Sequence, residues 1–248
     1  MGSSIALIPA RSGSQRIQNK NVNILSGHPL IAYSITAAIE SGLFSAVICV
    51  TDSYEYAEIA KHYGAEVPFL RPNETATSTS PDIDWVTWSL NELSQQQRNF
   101  DVFSILRPTS PFRSSATIIR AWELFNSDKN VHSLRAVSLC TEHPGKMWII
   151  NGSRMNPVWP GSNGSTPWHS SQYASLPEIY VQNASLEIAY TKILKQCRTI
   201  SGEFVMPFIS NGIEGFDINT EEDWVLAEYY AQQNPDILPR VNVEPWRK

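Results

Sequence analysis

Short apolar runs alternate along the chain with segments that have helical spacing, and this alternation predicts an α/β fold. Residues 4–9 are a continuous apolar run without polar alternation, which is typical of a strand buried on both faces. The spacing of Ile31, Ile35 and Ile39 then predicts a helix, and residues 46–50 form a second apolar run. Strand, helix and strand in this order make the βαβ unit of a parallel sheet.

The same alternation continues to about residue 138. The helical segments repeat apolar positions every three or four places, whereas the strand-like segments are short and continuously apolar. In chain order we predict a helix over 55–63, a strand over 66–69, a helix over 83–93, a strand over 102–106 and a helix over 114–125. The expected fold is α/β, a Rossmann-like, mostly parallel sheet with helices on both faces, in which ligands bind at the carboxyl ends of the strands.

The alternation stops between about residues 139 and 185, where proline, glycine, serine and isolated tryptophans dominate. A loop-rich excursion of this length is usually functional. After it, residues 186–190 predict a returning strand, and residues 216–219 predict the end of a further strand. A capping-box pattern at residues 220–223 predicts the start of a final helix.

The composition narrows the classes of protein to which the chain could belong. Its 248 residues suit one domain over 1–248, because a single α/β core of this size is common. Apolar residues make up 42% and charged residues 17%, and no run is as long as a membrane span, so we expect a cytoplasmic globular protein. The net charge of −5 argues against nucleic-acid binding, and the three separated cysteines have no metal-finger spacing.

The polar segment 8–21, directly after the first strand, concentrates positive charge in an otherwise acidic chain. Gly13 and the neighbouring serines allow backbone N–H groups to approach phosphate oxygens. Arg11, Arg16 and Lys20 supply cations that offset the charge that grows as pyrophosphate leaves a triphosphate. The segment matches neither the P-loop nor the Gly-x-Gly-x-x-Gly pattern. It predicts a triphosphate site, with a solvated surface loop as the alternative.

Six blocks of sequence, which together span nearly the whole chain, occur in the order typical of one enzyme family. They lie at residues 8–21, 51–53, 63–72, 107–113, 176–183 and 217–224. The first block resembles the Ile-Pro-Ala-Arg-Gly-Gly-Ser-Lys-Arg-Ile-Pro-x-Lys-Asn signature of acylneuraminate cytidylyltransferases, the CMP-sialic acid synthetases. This family transfers CMP from CTP to a sugar acid and releases pyrophosphate. The resemblance implies the same reaction and a homodimer formed through the excursion, with a lid on its own subunit as the alternative.

Carried over position by position, the resemblance also implies roles for individual residues. Catalysis would depend on Arg11, Lys20 and Asp217. CTP would be bound by Ala10, Arg11, Gly13, Ser14, Gln15, Lys20, Arg71 and Ser80. The acceptor would contact Arg107, Thr109, Ser110, Tyr180, Asn183 and Glu187. Asp217 and Asn219 would bind Mg²⁺, which typically takes one or two carboxylates together with substrate phosphates.

Several positions depart from the family pattern, and they cluster where chemistry or acceptor recognition is expected. Tyr173 and Ala174 replace an Arg-Gln pair, so a cation expected beside the acceptor is missing. Gln15 replaces a lysine, and Asn219 replaces the second carboxylate of an Asp-x-Asp pair, so both changes remove charge from the nucleotide site. Arg107 replaces a glutamine and indicates a strongly anionic acceptor group. Glu187 replaces a tyrosine; it is either a solvent-facing strand residue or, if it faces the pocket, a residue that favours an amine or hydroxyl on the acceptor.

Three functions are consistent with these residues. The leading prediction is a CTP-dependent cytidylyltransferase for a small acidic acceptor, either a nonulosonic (sialic-like) acid or a 3-deoxy sugar acid. The changes at Arg107 and Glu187 keep open a second acceptor class, a small phosphate or phosphonate, with or without an amine. The changes at Gln15 and Asn219 keep open a third function, a catalytically silent homologue that binds CTP.

Overall fold

A six-stranded sheet forms the centre of the protein in the computed structural model, which describes residues 3–77 and 79–247. Its strands in chain order are β1 (Ser4–Pro9), β2 (Ala46–Val50), β3 (Val102–Ile105), β4 (Ser133–Leu139), β5 (Tyr180–Tyr190) and β6 (Val205–Ile209). They lie side by side in the order β6-β4-β5-β3-β1-β2. β1 pairs in parallel with β2 and with β3, whereas β5 runs antiparallel to β3. The carboxyl ends of β1, β2 and β3 therefore meet at one edge of the sheet.

Helices cover both faces of the sheet, as the continuous apolar runs predicted. They are α1 (Leu30–Glu40), α2 (Tyr54–His62), α3 (Asp82–Gln95), α4 (Ser115–Ser127), α5 (Lys192–Cys197) and α6 (Glu221–Gln233). Successive residues of β1 point to opposite faces: Ala6 and Ile8 join the core formed with α1, α2 and α4, while Ile5 and Leu7 join the core formed with α3 and α5. Because each face has its own helical cover, β1 is buried along its length.

A third apolar cluster lies beside the carboxyl edge and holds the loops that form the site. Ile17 of the basic segment and Ile218 pack in it with Ala227 and Ala231 of α6. The predicted capping box is present at the start of α6. The Thr220 hydroxyl accepts a hydrogen bond from the backbone N–H of Asp223, and the Asp223 carboxylate accepts one from the backbone N–H of Thr220. The start of α6 is thereby fixed directly after the loop that carries Asp217.

Residues 137–182 form a compact unit of their own, and the residues before and after them form the other unit. The smaller unit contains a hairpin of Trp148–Asn151 with Arg154–Pro157 and a shorter pairing of Ser162–Asn163 with Thr166–Pro167. Trp168 contacts Trp159 and His143 in edge-to-face arrangements within it. In the larger unit, Ile24–Leu25 pairs with His28–Pro29. None of the described helices is long and apolar enough to cross a membrane.

The structure corrects three details of the secondary-structure prediction. Residues 66–69 form only one bridge, between Glu66 and Ile48, and Pro68 removes a backbone donor that a longer pairing would need. Residues 216–219 end no strand: the N–H of Phe216 donates to the nearby Ile213 carbonyl, and the backbone groups of Ile218 bond to Thr109 and Lys20 rather than to a neighbouring strand. Ile39, expected on the buried face of α1, lies in the last turn and is 46% exposed.

Candidate active site

The carboxyl edge of the sheet places the candidate residues in a fixed order. On the β2 side, the backbone N–H of Arg71 donates to the carbonyl of Thr51 at 2.7 Å, which ties the 71–77 segment to the end of β2. The basic segment follows the central strand β1. Arg107 follows β3, and Glu187 of β5 pairs in register with Ile105 at the end of β3. The predicted nucleotide residues therefore lie over β1 and β2, and the predicted acceptor residues Arg107 and Glu187 lie over β3 and β5.

Backbone and side-chain contacts hold the basic segment in shape. The backbone N–H of Ala10 donates to the Val50 carbonyl at 3.0 Å. Asp52, at the end of β2, accepts from the backbone N–H of Ser12 at 2.8 Å and from its hydroxyl at 3.0 Å. Asn21 donates to the Arg11 carbonyl at 3.3 Å. A Cβ built on Gly13 would meet no atom within 4 Å, so the space beside its backbone is open to a ligand.

A cavity of about 350 Å³ opens beside this segment and collects most of the predicted triphosphate residues. It is lined by Arg11, Ser14, Gln15, Arg16, Ile17, Lys20 and Asn219. None of its three cations forms an ion pair with a carboxylate of residues 3–77 or 79–247. Three converging cations that form no ion pair among the described residues attract a polyanion, which favours the triphosphate prediction over a solvated loop.

Lys20 and the Asp217 loop meet at the wall of this cavity. The Nζ of Lys20 donates to the Ile218 carbonyl at 2.6 Å, and the Ile218 N–H donates to the Thr109 carbonyl at 2.9 Å. Burial lowers the pKa of Lys20 below its usual value, although the Asp217 carboxylate opposes that shift. The loop that carries Asp217 is thus held between the segment after β1 and the segment after β3.

Asp217 presents a carboxylate oxygen that suits a cation. Its Oδ2 accepts from the Asn219 side-chain amide at 2.6 Å, whereas its buried Oδ1 has no hydrogen-bond partner in the described part of the chain. Asn219 turns its amino group, not its carbonyl oxygen, towards Asp217. No group of three or more His, Cys, Asp or Glu side chains suited to a metal occurs among the described residues. An ion here would need phosphate oxygens as further ligands, as Mg²⁺ commonly does.

A second cavity, of about 200 Å³, shares Arg11 with the first and contains the predicted cytidine residues Arg71 and Ser80. The guanidinium of Arg71 lies 5.4 Å from the ring centre of Trp85, and its Nε donates to the Thr75 hydroxyl at 3.2 Å. Arg71 is only 6% exposed, and burial lowers its pKa to about 10. Arg71 is therefore a buried wall of the cavity and not an exposed loop residue.

Arg107 lines the same cavity, but two carboxylates already balance its charge. Its guanidinium donates to both Asp82 oxygens, at 2.7 and 3.4 Å, and to Glu187 Oε1 at 2.8 Å. Glu187 Oε2 forms an ion pair with Arg135 of β4 at 2.5 Å. The Glu187 side chain is 5% exposed, so its interpretation as a solvent-facing residue is wrong.

The pKa values agree with this pairing. Burial opposes the charge on Arg107, but Glu187 and Asp82 outweigh it and raise the pKa of Arg107 above its usual value. Burial likewise opposes the charge on Asp82, and Arg107 outweighs it and lowers the pKa of Asp82. We call Asp82, Arg107, Arg135 and Glu187 the charge cluster. Its two positive and two negative charges cancel.

The remaining predicted acceptor residues are in different surroundings. Ser110 is fully buried, with no hydrogen-bond partner for its hydroxyl among the described residues. Thr109 lies beside the Asp217 loop through its carbonyl. Asn183 donates to the Ser210 hydroxyl at 2.9 Å. Tyr180 belongs to the 137–182 unit, where its hydroxyl donates to Glu178 at 3.2 Å.

Sequence reasoning did not select four residues that shape the site: Asp52, Asp82, Arg113 and Arg135. Arg113 is fully buried and donates to the carbonyls of Arg107 and Ser185 and, at 2.7 Å, to the Ser34 hydroxyl. Burial lowers its pKa to about 9. It therefore clamps the segment after β3 onto β5 and α1. Its place at the end of the 107–113 block was the available signal, whereas nothing in the sequence pairs Asp82 with a residue 25 positions away.

The fold and the basic cavity define a nucleotide-binding α/β enzyme, and comparison with known proteins gives its family. Residues 5–128 match the family model described as cytidylyltransferase. The CMP-N,N'-diacetyllegionaminic acid synthase of Legionella pneumophila is 36% identical over 236 residues, which is 94% of this chain and 98% of that protein. The chain belongs to the cytidylyltransferases related to CMP-sialic acid synthetases, and is a CTP-dependent nucleotidyltransferase.

Two further comparisons agree with this assignment. The N-acylneuraminate cytidylyltransferase of Escherichia coli O18:K1:H7 is 43% identical over 123 residues, which is 50% of this chain and 28% of that protein. The solved structure of CMP:2-keto-3-deoxy-manno-octonic acid synthetase complexed with CTP superposes with a TM-score of 0.67. That superposition covers 93% of this chain and 99% of the other at 12% identity, so it shows the shared fold.

Proposed function

We propose that the chain transfers CMP from CTP to a nonulosonic acid and releases pyrophosphate. Support comes from the full-length similarity to a synthase named for a legionaminic acid and from the predicted family residues that surround the two cavities. The single observation that carries the proposal is the convergence of Arg11, Arg16 and Lys20, none of them in an ion pair among the described residues, on the cavity beside the Asp217 loop. A triphosphate is the ligand that needs such a charge arrangement.

In this reaction an acceptor hydroxyl oxygen attacks the α-phosphorus of CTP. A new oxygen–phosphorus bond forms, the bond to the bridging oxygen of the β-phosphate breaks, and pyrophosphate leaves with the bonding electrons. The hydroxyl proton passes to water or to a base. Arg11, Arg16 and Lys20 orient the triphosphate and stabilise the leaving charge, so no covalent enzyme intermediate is required.

Mg²⁺ belongs to the same proposal because the unpartnered Oδ1 of Asp217 fits a hard cation. When bound, the ion would supply positive charge that offsets the charge developing on the phosphates. Asp217 would be its protein ligand, and Asn219 would join only after turning its carbonyl oxygen inward. Lys20, held against the same loop, would remain on the phosphates and not on the ion.

We expect the substitution Asn219→Asp to strengthen the dependence on Mg²⁺. It removes the amide that now donates to Asp217 and places two carboxylates side by side, an arrangement that a divalent cation stabilises. Titration of the initial rate with Mg²⁺ should give half-saturation at a lower concentration than in the wild type, by about tenfold. The exposed change Asn234→Asp is the control. An equal or higher half-saturating concentration in Asn219→Asp contradicts the expectation.

Of the two acceptor classes, the structure favours the sugar acid. Arg107 suggested a phosphate or phosphonate because it brought an unpaired cation, but Asp82 and Glu187 balance that charge. A dianionic group would meet the Glu187 and Asp82 carboxylates together with Arg107, and like charges in a buried site are costly.

An acceptor panel tests the proposed reaction. Purified protein with CTP and Mg²⁺ is supplied in turn with diacetamido and monoacetamido nonulosonic acids, a 3-deoxy octulosonic acid and an aminoalkylphosphonate, and pyrophosphate release is followed. We expect release with a nonulosonic acid, and a preference for CTP over UTP and ATP. Release only with the phosphonate, or with no acceptor at all, would refute the proposal.

A homodimer through the 137–182 unit also belongs to this proposal. The hairpin of this unit exposes Ile149, Ile150 and Met155 by 54%, 74% and 55%. Adjacent exposed apolar side chains are typical of an interface between subunits. Light scattering at micromolar concentration should give the mass of two chains, and Ile150→Glu should shift it towards one. A wild-type monomer counts against the dimer.

A further inference from the structure

The charge cluster lies on three neighbouring strands and one helix, at the acceptor end of the site. Arg135 is on β4, Glu187 on β5 and Arg107 just after β3, and these three strands are adjacent in the sheet. Asp82 begins α3 and completes the cluster from the side of the cytidine residues. Signs alternate along the row, so each charged side chain, whether buried as Glu187 is or partly exposed as the other three are, contacts one of opposite sign. Such pairing is what allows ionised groups to be buried.

Arg107 keeps hydrogen-bonding capacity after these contacts are made. A guanidinium has five N–H donors. Three contacts with Asp82 and Glu187 use NH1 and NH2, while Nε–H and one N–H of NH1 have no partner among residues 3–77 and 79–247. The Arg107 side chain is 22% exposed, and it lines the cavity of about 200 Å³. Arg107 therefore has free N–H donors for a ligand, although Asp82 and Glu187 already balance its charge.

We propose that Arg107, held and neutralised by Asp82 and Glu187, is the residue that selects the acceptor by donating to the carbonyl oxygen of an acylamino group. This inference rests on the proposed function, because it takes the acceptor to be a nonulosonic acid. A balanced donor favours an uncharged oxygen over a phosphonate, which would be repelled by the two carboxylates. An acceptor analogue that lacks the acylamino group would leave the Arg107 donors without a hydrogen-bond partner, and the site would therefore bind that analogue less well.

The chemistry of the similar Legionella pneumophila synthase agrees with this choice. Its name specifies an N,N'-diacetyl acceptor, and amide carbonyls are the neutral acceptors that an arginine fork can bind. The two departures from the family pattern, Arg107 and Glu187, then have one joint explanation. Arg107 without Glu187 would still pair with Asp82, and Glu187 without Arg107 would still pair with Arg135, but either change alone would leave the cluster with one excess formal charge. The two changes together keep the numbers of positive and negative groups equal.

The main test measures kcat/KM for two acceptors that differ only in an acetamido group and the hydroxyl that replaces it. Arg107→Met removes both the charge and the donors, so we expect it to lower kcat/KM for the acetamido acceptor at least about tenfold. The hydroxyl analogue should change less than about twofold, and so should the KM for CTP. Equal losses for both acceptors, or a changed KM for CTP, would assign Arg107 a structural role and overturn the inference.

The second test uses a small phosphonate as an inhibitor competitive with the acceptor. Glu187→Gln leaves Arg107 with less balancing charge, and should tighten phosphonate binding about tenfold. The double variant Arg107→Gln/Glu187→Gln removes one charge of each sign and keeps a donor at position 107. It should bind the phosphonate as weakly as the wild type and retain the preference for the acetamido acceptor. Unchanged phosphonate affinity in Glu187→Gln contradicts the proposed charge balance.

Controls separate this inference from failure of folding and from failure of the proposed reaction. Glu66→Gln breaks a comparable two-contact pair, with Arg98 at 2.8 and 3.1 Å, and should leave both measurements unchanged. If a single variant does not fold, the charge-balanced double variant still distinguishes the outcomes. If the wild type converts no nonulosonic acid, the proposed function fails, whereas normal conversion with unaltered selectivity in the variants refutes only the role of Arg107.

Discussion

Lys20→Ala is expected to lower CTP-dependent pyrophosphate release about a hundred- to a thousandfold, the usual cost of removing one group that stabilises developing charge. Lys20 lies in the cavity with Arg11 and Arg16, and its Nζ is held by the Ile218 carbonyl at 2.6 Å. The amine is thereby fixed before the triphosphate binds, so the loss should appear mainly in kcat. Stopped assays at saturating CTP and acceptor measure it.

The matched control is Lys61→Ala, which removes an exposed lysine that pairs with Glu58 at the surface. It should leave kcat unchanged. Lys20→Arg keeps a cation and should recover part of the activity lost in the alanine variant. If Lys20→Ala retains more than about a tenth of wild-type kcat, the triphosphate does not depend on this amine as its position implies.

The lowered pKa of Lys20 predicts a specific dependence of activity on pH. An amine assists only while protonated, so activity should fall as the pH rises through the Lys20 pKa, which lies below the ordinary lysine value of 10.5. Lys20→Arg should move this alkaline decline to higher pH, because a guanidinium keeps its proton. The pH profile of kcat/KM for CTP reports the free enzyme and is the measurement to use.

Asp217→Asn is expected to have the second large effect, a loss of at least about a hundredfold in activity at a fixed Mg²⁺ concentration. The change keeps the shape of the side chain but removes the charge from the unpartnered Oδ1. Excess Mg²⁺ should recover part of the activity. Binding of Mn²⁺ followed by electron paramagnetic resonance in the presence of CTP should weaken in parallel, which gives a readout independent of turnover.

The Asp217→Asn variant should lose activity without losing thermal stability. A carboxylate oxygen that is buried without a partner destabilises the folded protein, so Asp217→Asn should unfold at an equal or higher temperature than the wild type. Asp236→Asn, an exposed change next to Pro235, is the control for both measurements. A large fall in the unfolding temperature of Asp217→Asn would show that the activity loss comes from misfolding and not from loss of the proposed Mg²⁺ ligand.

The local pattern of the sequence predicts those parts of the fold that depend on neighbouring residues. The continuous run 4–9 predicts a strand covered on both faces, and β1 packs on two helical layers. The capping-box spacing of Thr220 and Asp223 predicts the start of α6 to the residue. The prediction of a strand over 66–69 was wrong because it rested on apolar content. Pro68 has no backbone N–H to donate to a neighbouring strand, and only Glu66 forms a bridge.

The basic segment illustrates how far the site could be predicted. Its three cations and Gly13 indicate phosphate binding from composition alone, and their convergence on one cavity agrees with that. The partners of Arg107 could not be predicted in the same way. Asp82 and Glu187 lie 25 and 80 positions from it, and only the strand order brings them to the same guanidinium. An unpaired arginine and a balanced one look identical in a sequence, yet they indicate opposite acceptors.

By itself, then, the sequence determined the α/β alternation and the family to which the chain is similar, and it singled out the segment after β1 as the proposed triphosphate site, because each depends on residues that are close along the chain. Tertiary structure alone decided which ion pairs the predicted acceptor residues form and which groups surround Asp217. Both depend on contacts between segments that are distant in sequence: Arg107 with Glu187, and Lys20 with the Ile218 carbonyl, 198 positions apart. The physical reason is that the energy of a charged group inside the protein depends on the groups that contact it. The order of the strands in the sheet, and not the spacing along the sequence, determines which groups those are.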